Sequence, residues 1–281
     1  MTAYDSPPSP CPAAAAQGQE HTPWHAGRPS LILDLDGTLI REHQPIDGAA
    51  ALLHAFRGRF VIVSNNSTHT ARQMARRLRG MGLPVRASDL VLAGEQLVEY
   101  LCDGHAGARI LMRASPALKR QAAACGCRLV ERDADVVALA LDKGFDYAAL
   151  AAIARELARG ARLVVSNIDR THPGPDGQVV PETGALLQAV IACTGSRPWH
   201  VAGKPGPAMF REGLRRLCST PADTLVIGDN PDTDAAGAVR AGLRYVLVGG
   251  GPQAMAATPT QLLASDCAAR AALPQARVNS A

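Results

Sequence analysis

Aromatic side chains are scarce in this sequence. Phe, Tyr and Trp together make up 4 % of 281 residues, so its cores must be built from Ala, Val, Leu and Ile. No apolar stretch approaches the length of about 20 residues that a bilayer crossing needs, and no membrane partner is expected. The first residues lack a basic region followed by an apolar one, so no secretory signal is expected. The phosphate-binding pattern Gly-x-x-x-x-Gly-Lys-Ser/Thr is missing, which disfavours a P-loop nucleotide hydrolase. No internal repeat is visible. The seven cysteines are odd in number, and Cys125-x-Cys127 has no second pair or His cluster to complete a zinc site. All seven are expected to be reduced thiols in a cytoplasmic protein.

Apolar residues are plentiful, at 47 %, and the length suits one or two domains. The net charge of +4 and pI of about 8.8 are mildly basic. That balance does not point to nucleic acid. The densest basic run is Arg72, Arg76, Arg77 and Arg79, and it reads as the solvated face of a helix. Residues 1–28 are rich in Pro, Ala, Ser and Gln and read as a disordered tail. His21 and His25 are separated by Pro23 and read as tail residues rather than metal ligands. The segment 266–281 is Ala-rich and reads as a short helix or a second tail.

Between the tails, short apolar runs alternate with helical patterns. Strands are expected at 31–35, 60–64, 109–112, 136–141, 162–165, 225–227 and 245–248. Helices are expected at 49–56, 70–79, 116–125, 147–159, 183–193, 208–217 and 232–241. Such alternation implies βαβ units and parallel sheets, so the fold class is α/β. Gly80, Gly160 and Gly242 lie where helices should be capped.

Three of the strands run into polar clusters. Leu31-Ile-Leu leads to Asp34-Leu-Asp36-Gly37-Thr38, Val61-Ile-Val to Ser64-Asn65-Asn66-Ser67-Thr68, and Leu225-Val-Ile to Gly228-Asp229-Asn230-Pro-Asp-Thr-Asp234. In open α/β sheets ligands bind beyond the carboxyl ends of strands, so the three clusters can converge on one crevice. Spaced i, i+2, Asp34 and Asp36 share a face of a strand. Asp229 and Asp234 bring further carboxylates. Four carboxylates repel one another, and a hard divalent cation is the natural compensation. An all-oxygen set suits Mg2+. Lys204, in Gly203-Lys204-Pro205, adds positive charge, and Ser64 adds a hydroxyl. Carboxylates, a metal, a lysine and N–H donors describe a phosphate site and suggest phosphoryl transfer. Taken singly each piece is bland: Asn65 and Asn66 suit turns, and Asp229, Asn230 and Asp232 suit a helix cap.

With these residues in order, the sequence resembles the haloacid dehalogenase superfamily. Asp34-Leu-Asp36-Gly-Thr resembles its first motif, Ser64-Asn65-Asn66 the second, Lys204 the third and Gly228-Asp229-Asn230-Pro-Asp-Thr-Asp234 the fourth. Pro45-Ile-Asp-Gly-Ala, Asn167-Ile-Asp169 and Gly203-Lys-Pro are similar to subfamily IIA, the para-nitrophenyl phosphatase and nucleotide monophosphatase branch.

That resemblance implies a Rossmann-like parallel-sheet core at 29–102 and 198–265 with a large α/β cap inserted at 103–197. It implies Asp34 as nucleophile and Asp36 as general acid and base. It implies Mg2+ held by the Asp34 side chain, the Asp36 carbonyl and Asp229, with Asp234 steadying Lys204 or a metal-bound water. Ser64 and Lys204 would bind the phosphoryl group, with Asn65 and Asn66 beside them. Asn167, Asp169 and Glu182 would meet the substrate from the cap, in the Gly- and Pro-rich segment 167–184, which reads as a loop. Glu182 departs from the branch, where glycine is commoner at that position. The expected activity is magnesium-dependent hydrolysis of small phosphomonoesters, such as nucleotide monophosphates, sugar phosphates, phosphoglycolate or pyridoxal phosphate, through an aspartyl phosphate. A phosphotransferase on the same core, or a non-catalytic protein that binds a phospholigand, are the alternatives. The expected partner is a small phosphorylated metabolite; a homodimer is one expectation for the assembly.

Overall fold

A computed structural model of the chain describes residues 29–174, 178–195, 197, 198 and 200–264. The expectations for the tails 1–28 and 266–281, with His21 and His25, lie outside the described residues.

In chain order the strands are β1 (Ser30–Leu33), β2 (Ile40–Arg41), β3 (Gln44–Pro45), β4 (Phe60–Ser64), β5 (Leu90–Leu92), β6 (Arg109–Arg113), β7 (Arg128–Leu129), β8 (Val136–Leu139), β9 (Arg162–Val165), β10 (Thr171–Pro173), β11 (Val179–Pro181), β12 (His200–Val201), β13 (Thr224–Gly228) and β14 (Arg244–Leu247). The helices are α1 (Ala49–Ala55), α2 (Ala71–Gly80), α3 (Ala93–Gly104), α4 (Pro116–Ala124), α5 (Tyr147–Ala158), α6 (Thr183–Thr194), α7 (Pro207–Leu217), α8 (Ala236–Arg240) and α9 (Pro259–Ala264). Two five-stranded sheets result, in the orders β14-β13-β1-β4-β5 and β12-β9-β8-β6-β7. Every pairing within them is parallel. β2 with β3, and β10 with β11, form antiparallel hairpins. The α/β class with a Rossmann-like first sheet is as expected.

Both sheets are covered on both faces, which is why their strands are continuous apolar runs. Successive residues of β1 point to opposite sides. Leu31 and Leu33 join a cluster with Leu52 of α1 and Met74 of α2. Ile32 joins Met209 and Phe210 of α7 on the other face. The second sheet packs Met112 and Ala138 against Leu97 and Leu118 of α3 and α4. Its other face packs Val137 and Val165 against Ile153 and Leu187 of α5 and α6. Truncating a fully buried position such as Ile32 to Ala costs about 2–5 kcal/mol in cores of this kind.

Helix α3 begins before the expected junction at 102/103 and runs through it, and its Leu97, Val98 and Leu101 pack on the second sheet. β12 follows the junction at 197/198, yet it pairs with β9. By packing, the second sheet's core draws on residues from Leu97 to Ala202, while Ala93 at the start of α3 packs with the first sheet.

Local differences have local causes. β1 stops at Leu33, two residues early, because the chain turns: Leu39 and Ile40 N–H both donate to the Leu35 carbonyl. The helix expected at 232–241 begins as a wide turn over 231–235 and becomes α-helical only at Ala236. Gly80 ends α2 inside the helix, and the left-handed residue is Gly82, with φ of 83°. Gly160 and Gly242 do take the left-handed conformation after α5 and α8. The segment read as a loop at 167–184 carries the β10–β11 hairpin. In α2, Arg72, Arg76 and Arg79 are exposed, while Arg77 is half-buried and donates to the Glu42 carbonyl. Among the described residues no helix is long and apolar enough to cross a membrane.

Candidate active site

β1 lies between β13 and β4, so the chain leaves it to opposite sides of the sheet. A crevice opens at such a switch point, beyond the carboxyl ends of the strands. The three polar clusters arrive there. Asp34 and Asp36 follow β1, Ser64 ends β4, and Asp229 and Asp234 follow β13. Lys204 follows β12 and enters from the second unit, joined to Pro205 by a cis peptide bond.

Lys204 is 3 % exposed and Asp34 7 %. The Lys204 ammonium donates to Asp34 Oδ1 at 2.5 Å and to Asp234 Oδ1 at 2.7 Å. Asp234 is held from behind, because Asn230 N–H donates to its Oδ2. Asp34 Oδ2 is buried and has no hydrogen-bond partner. Oxygens of Asp34, Asp229 and Asp234 lie within 4.8 Å of one another. Gly37 makes room for them: its φ is 90°, and a Cβ there would sit 2.0 Å from Asp229 Oδ2. Only glycine meets both demands.

The charges are unbalanced. Burial pushes the Asp34 carboxyl well above its ordinary range; Lys204 opposes that, and Asp234 and Asp229 add to it. Burial, then Asp234, pushes the Asp229 carboxyl up to about 6. Burial works against the Lys204 ammonium, but Asp234 and Asp34 outweigh it and raise its pKa. Asp36 is pushed up by burial, with Lys204, Arg77, His172 and a Ser64 hydrogen bond opposing. Asp36 is nevertheless exposed, so water limits that push. A cluster of carboxylates facing one lysine, with a buried and unpartnered oxygen among them, lacks positive charge. An all-oxygen donor set of this kind fits a hard divalent cation such as magnesium. Asp34, Asp229 and Asp234 are the side chains placed to meet it.

The remaining residues form the wall between the two units. The Asn65 amide donates to Asp169 Oδ2 at 2.9 Å and to the Lys204 carbonyl at 3.3 Å, and its oxygen accepts Lys204 N–H at 2.8 Å. A backbone N–H can only donate, which fixes the orientation of that amide. Ser64 is buried and accepts Asn66 N–H at 3.1 Å. Asn66 turns its own oxygen to the N–H groups of Thr68 and His69, so it holds the turn. Asn167, expected against the substrate, is fully buried. Its amide donates to the Asn65 carbonyl at 2.9 Å and to Ser67 Oγ at 3.3 Å. It braces the wall rather than reaching the crevice. Asp169 is raised by burial, with the Asn65 hydrogen bond opposing. Glu182 pairs with His172 Nδ1 at 2.7 Å. Burial raises the Glu182 carboxyl, and His172 opposes.

Sequence reasoning missed several contributors. Ser67 Oγ accepts Leu141 N–H, lies within hydrogen-bond reach of the Asn167 amide, and shares a hydrogen bond with Thr183 Oγ1, 3.2 Å away. This buried set ties β4 of the first sheet to the strand ends of the second. His172 and Arg77 both act on Asp36. Ser67 did stand in the Ser-Asn-Asn-Ser-Thr run, but its partners are distant in sequence.

The haloacid dehalogenase-like hydrolase family matches residues 31–128, and a HAD-hydrolase-like family matches 201–270. A D-glycerol 3-phosphate phosphatase of Mycobacterium tuberculosis is 37 % identical over 224 residues, which are 78 % of this chain. The match spans 62 % of that relative's length. A dihydroxyacetone phosphatase of Corynebacterium glutamicum is 29 % identical over 79 % of this chain and 81 % of its own. Among solved structures, a glycerol phosphate phosphatase of Mycobacterium tuberculosis in complex with magnesium superposes with a TM-score of 0.74 at 34 % identity, over 81 % of this chain and 70 % of that one. A 4-nitrophenylphosphatase of Thermotoga maritima gives 0.75 at 28 % identity, over 86 % and 92 %. The chain belongs to the haloacid dehalogenase superfamily of hydrolases. Within that superfamily its place is subfamily IIA, and the relatives named here are phosphatases.

Proposed function

We propose that this chain is a magnesium-dependent phosphatase of small phosphomonoesters that works through a phosphoryl group carried on Asp34. The observation behind this reading is the Asp34 carboxyl, with one oxygen on Lys204 and the other buried without a partner. A carboxyl in that position has an oxygen free to attack and a cation holding its geometry. The named relatives are a D-glycerol 3-phosphate phosphatase and a dihydroxyacetone phosphatase, which supports a small substrate.

The chemistry follows from the positions. A phosphomonoester repels nucleophiles through its own charge. Magnesium, when held by Asp34 and Asp229 with Asp234 behind them, supplies charge that offsets this repulsion. Asp34 attacks phosphorus: a bond from its oxygen to phosphorus forms, and the bond to the ester oxygen breaks. Burial raises the Asp34 carboxyl, and Lys204 opposes that rise; a bound cation would oppose it further. Asp36 gives its proton to the departing alkoxide. It then takes one from the water that hydrolyses the aspartyl phosphate. Lys204 and the Ser64 hydroxyl hold the phosphoryl oxygens. The second unit, whose core residues run from Leu97 to Ala202, acts as a cap. The β10–β11 hairpin brings His172 and Glu182 towards the leaving group.

The test is phosphate release from p-nitrophenyl phosphate and from a panel of phosphorylated metabolites, with magnesium and after exhaustive chelation. Turnover should depend on the ion and should vanish in Asp34→Asn. Unchanged turnover in either case overturns the reading. An added alcohol or sugar acceptor distinguishes phosphoryl transfer from hydrolysis.

A further inference from the structure

Sequence alone left the cysteines scattered, but the fold gathers three of them. Cys102 is in the last turn of α3, Cys125 caps α4, and Cys127 precedes β7. Cys102 Sγ lies 3.3 Å from Cys127 Sγ across 25 residues of sequence. In a disulfide the two sulfurs stand about 2.0 Å apart, so only a small closure separates this pair from bonding. Gly126 turns the chain between Cys125 and Cys127, with φ of 90°. Cys102 and Cys127 are half-buried against the second sheet's apolar cluster. Cys125 is exposed and bonds Cys102 from the solvent side. Among the described residues, Cys193 and Cys218 are exposed as well, and neither has a sulfur partner of this kind.

We propose that Cys102 and Cys127 form a reversible dithiol site that small-molecule disulfides such as glutathione disulfide oxidise to an internal disulfide, with Cys125 as the exposed thiol through which exchange begins. The steps balance. The Cys125 thiolate attacks glutathione disulfide and releases one glutathione. Cys102 then attacks the Cys125 sulfur and releases the second. Cys127 finally attacks the Cys102 sulfur and frees the Cys125 thiolate. Two protein thiols lose two electrons and two protons, and one glutathione disulfide becomes two glutathiones. Attack requires thiolates. Burial, then Cys127, pushes the Cys102 thiol up to about 11, and burial raises Cys125 too. The reaction is therefore slow at neutral pH and speeds up as pH rises. The bond would tether α3, whose first turn donates Gly94 N–H to the Asn66 carbonyl, to the edge strand β7.

The test treats the full-length chain with glutathione disulfide at neutral and alkaline pH. Intact mass and non-reduced peptide mapping are then read out. The expected result is a loss of two hydrogens, a Cys102–Cys127 cross-linked peptide that dithiothreitol removes, and faster formation at the higher pH. Cys127→Ser should abolish the link, and Cys193→Ser should leave it intact. Glutathione adducts alone, or an internal link that pairs other cysteines, overturn the proposal. Because the wild-type map decides by itself, a variant that fails to fold does not rescue the idea.

Discussion

The Asn65 side chain donates to Asp169 Oδ2 at 2.9 Å, and these two residues belong to different units of the fold. The same amide holds both the N–H and the carbonyl of Lys204. Lys204 in turn grips Asp34. Contact between the units and the posture of the nucleophile are thus linked through one asparagine.

That link predicts a coupled loss. A hydrogen bond to a charged group is worth about 1.5–3 kcal/mol, so partly exposed Asp169→Ala should lower kcat/KM about tenfold. Asn65→Ala should lower it further, since Lys204 loses its backbone partner. A double-mutant cycle on kcat/KM should give a combined effect smaller than the sum of the two. Strict additivity would mean that the bond does not matter.

Asp34 carries function at the expense of stability. Burial, then Asp234 and Asp229, make the ionised form of its carboxyl costly, with Lys204 opposing. Asp34→Asn removes that charge and keeps an oxygen for Lys204. Turnover should stop while the Tm of the metal-free chain rises by about 2–4 °C, the response of a chain this size to roughly 1 kcal/mol. Calorimetry checks this; a lowered Tm would show the charge to be stabilising.

The metal-free Asp229 carboxyl is held up at about 6, so protons and magnesium compete for it. Above that pH the carboxylate is ionised and binds the ion freely. Below it, each unit of pH should weaken magnesium binding by about tenfold, the slope for one displaced proton. Titration calorimetry across this range measures the slope. In Asp229→Asn most of the affinity should be lost and the slope should fall by about one proton.

The second unit's hairpin carries the Glu182–His172 pair at 2.7 Å. Glu182→Gly frees His172 to move. Relative kcat/KM among natural phosphomonoesters should shift several-fold, within the range of about 1–3 kcal/mol that pocket contacts control. p-Nitrophenyl phosphate, judged by kcat/KM, should change little. Equal loss on every substrate would place Glu182 in folding or in the chemistry itself.

The strands that position the site were legible because they are apolar runs that stop at polar clusters. Phe60–Ser64 and Arg162–Val165 match their expected bounds. β5 and α3 were not legible. Leu90-Val-Leu runs directly into Ala93-Gly-Glu-Gln, with no residue between strand and helix to mark the change of period. β7 and β12, at two residues each, carry too little pattern to be seen. The β10–β11 hairpin was hidden by Pro173 and Pro181 at its ends, where an edge hairpin tolerates proline. The four carboxylates and Lys204 were readable from local motifs. The bracing role of Asn167 was not, because its partners Asn65 and Ser67 are about 100 residues away.

The most direct measurement asks where the phosphoryl group goes. A radiolabelled phosphomonoester should be mixed with the full-length chain and magnesium, and the reaction quenched in acid within the first turnover. Reduction with borohydride converts an acyl phosphate on aspartate into a stable alcohol that peptide mapping can place. The label and the modification should fall on Asp34 and be absent in Asp34→Asn. A modification at Asp36 or Asp229, or undiminished phosphate release by Asp34→Asn, would contradict the nucleophilic role of Asp34.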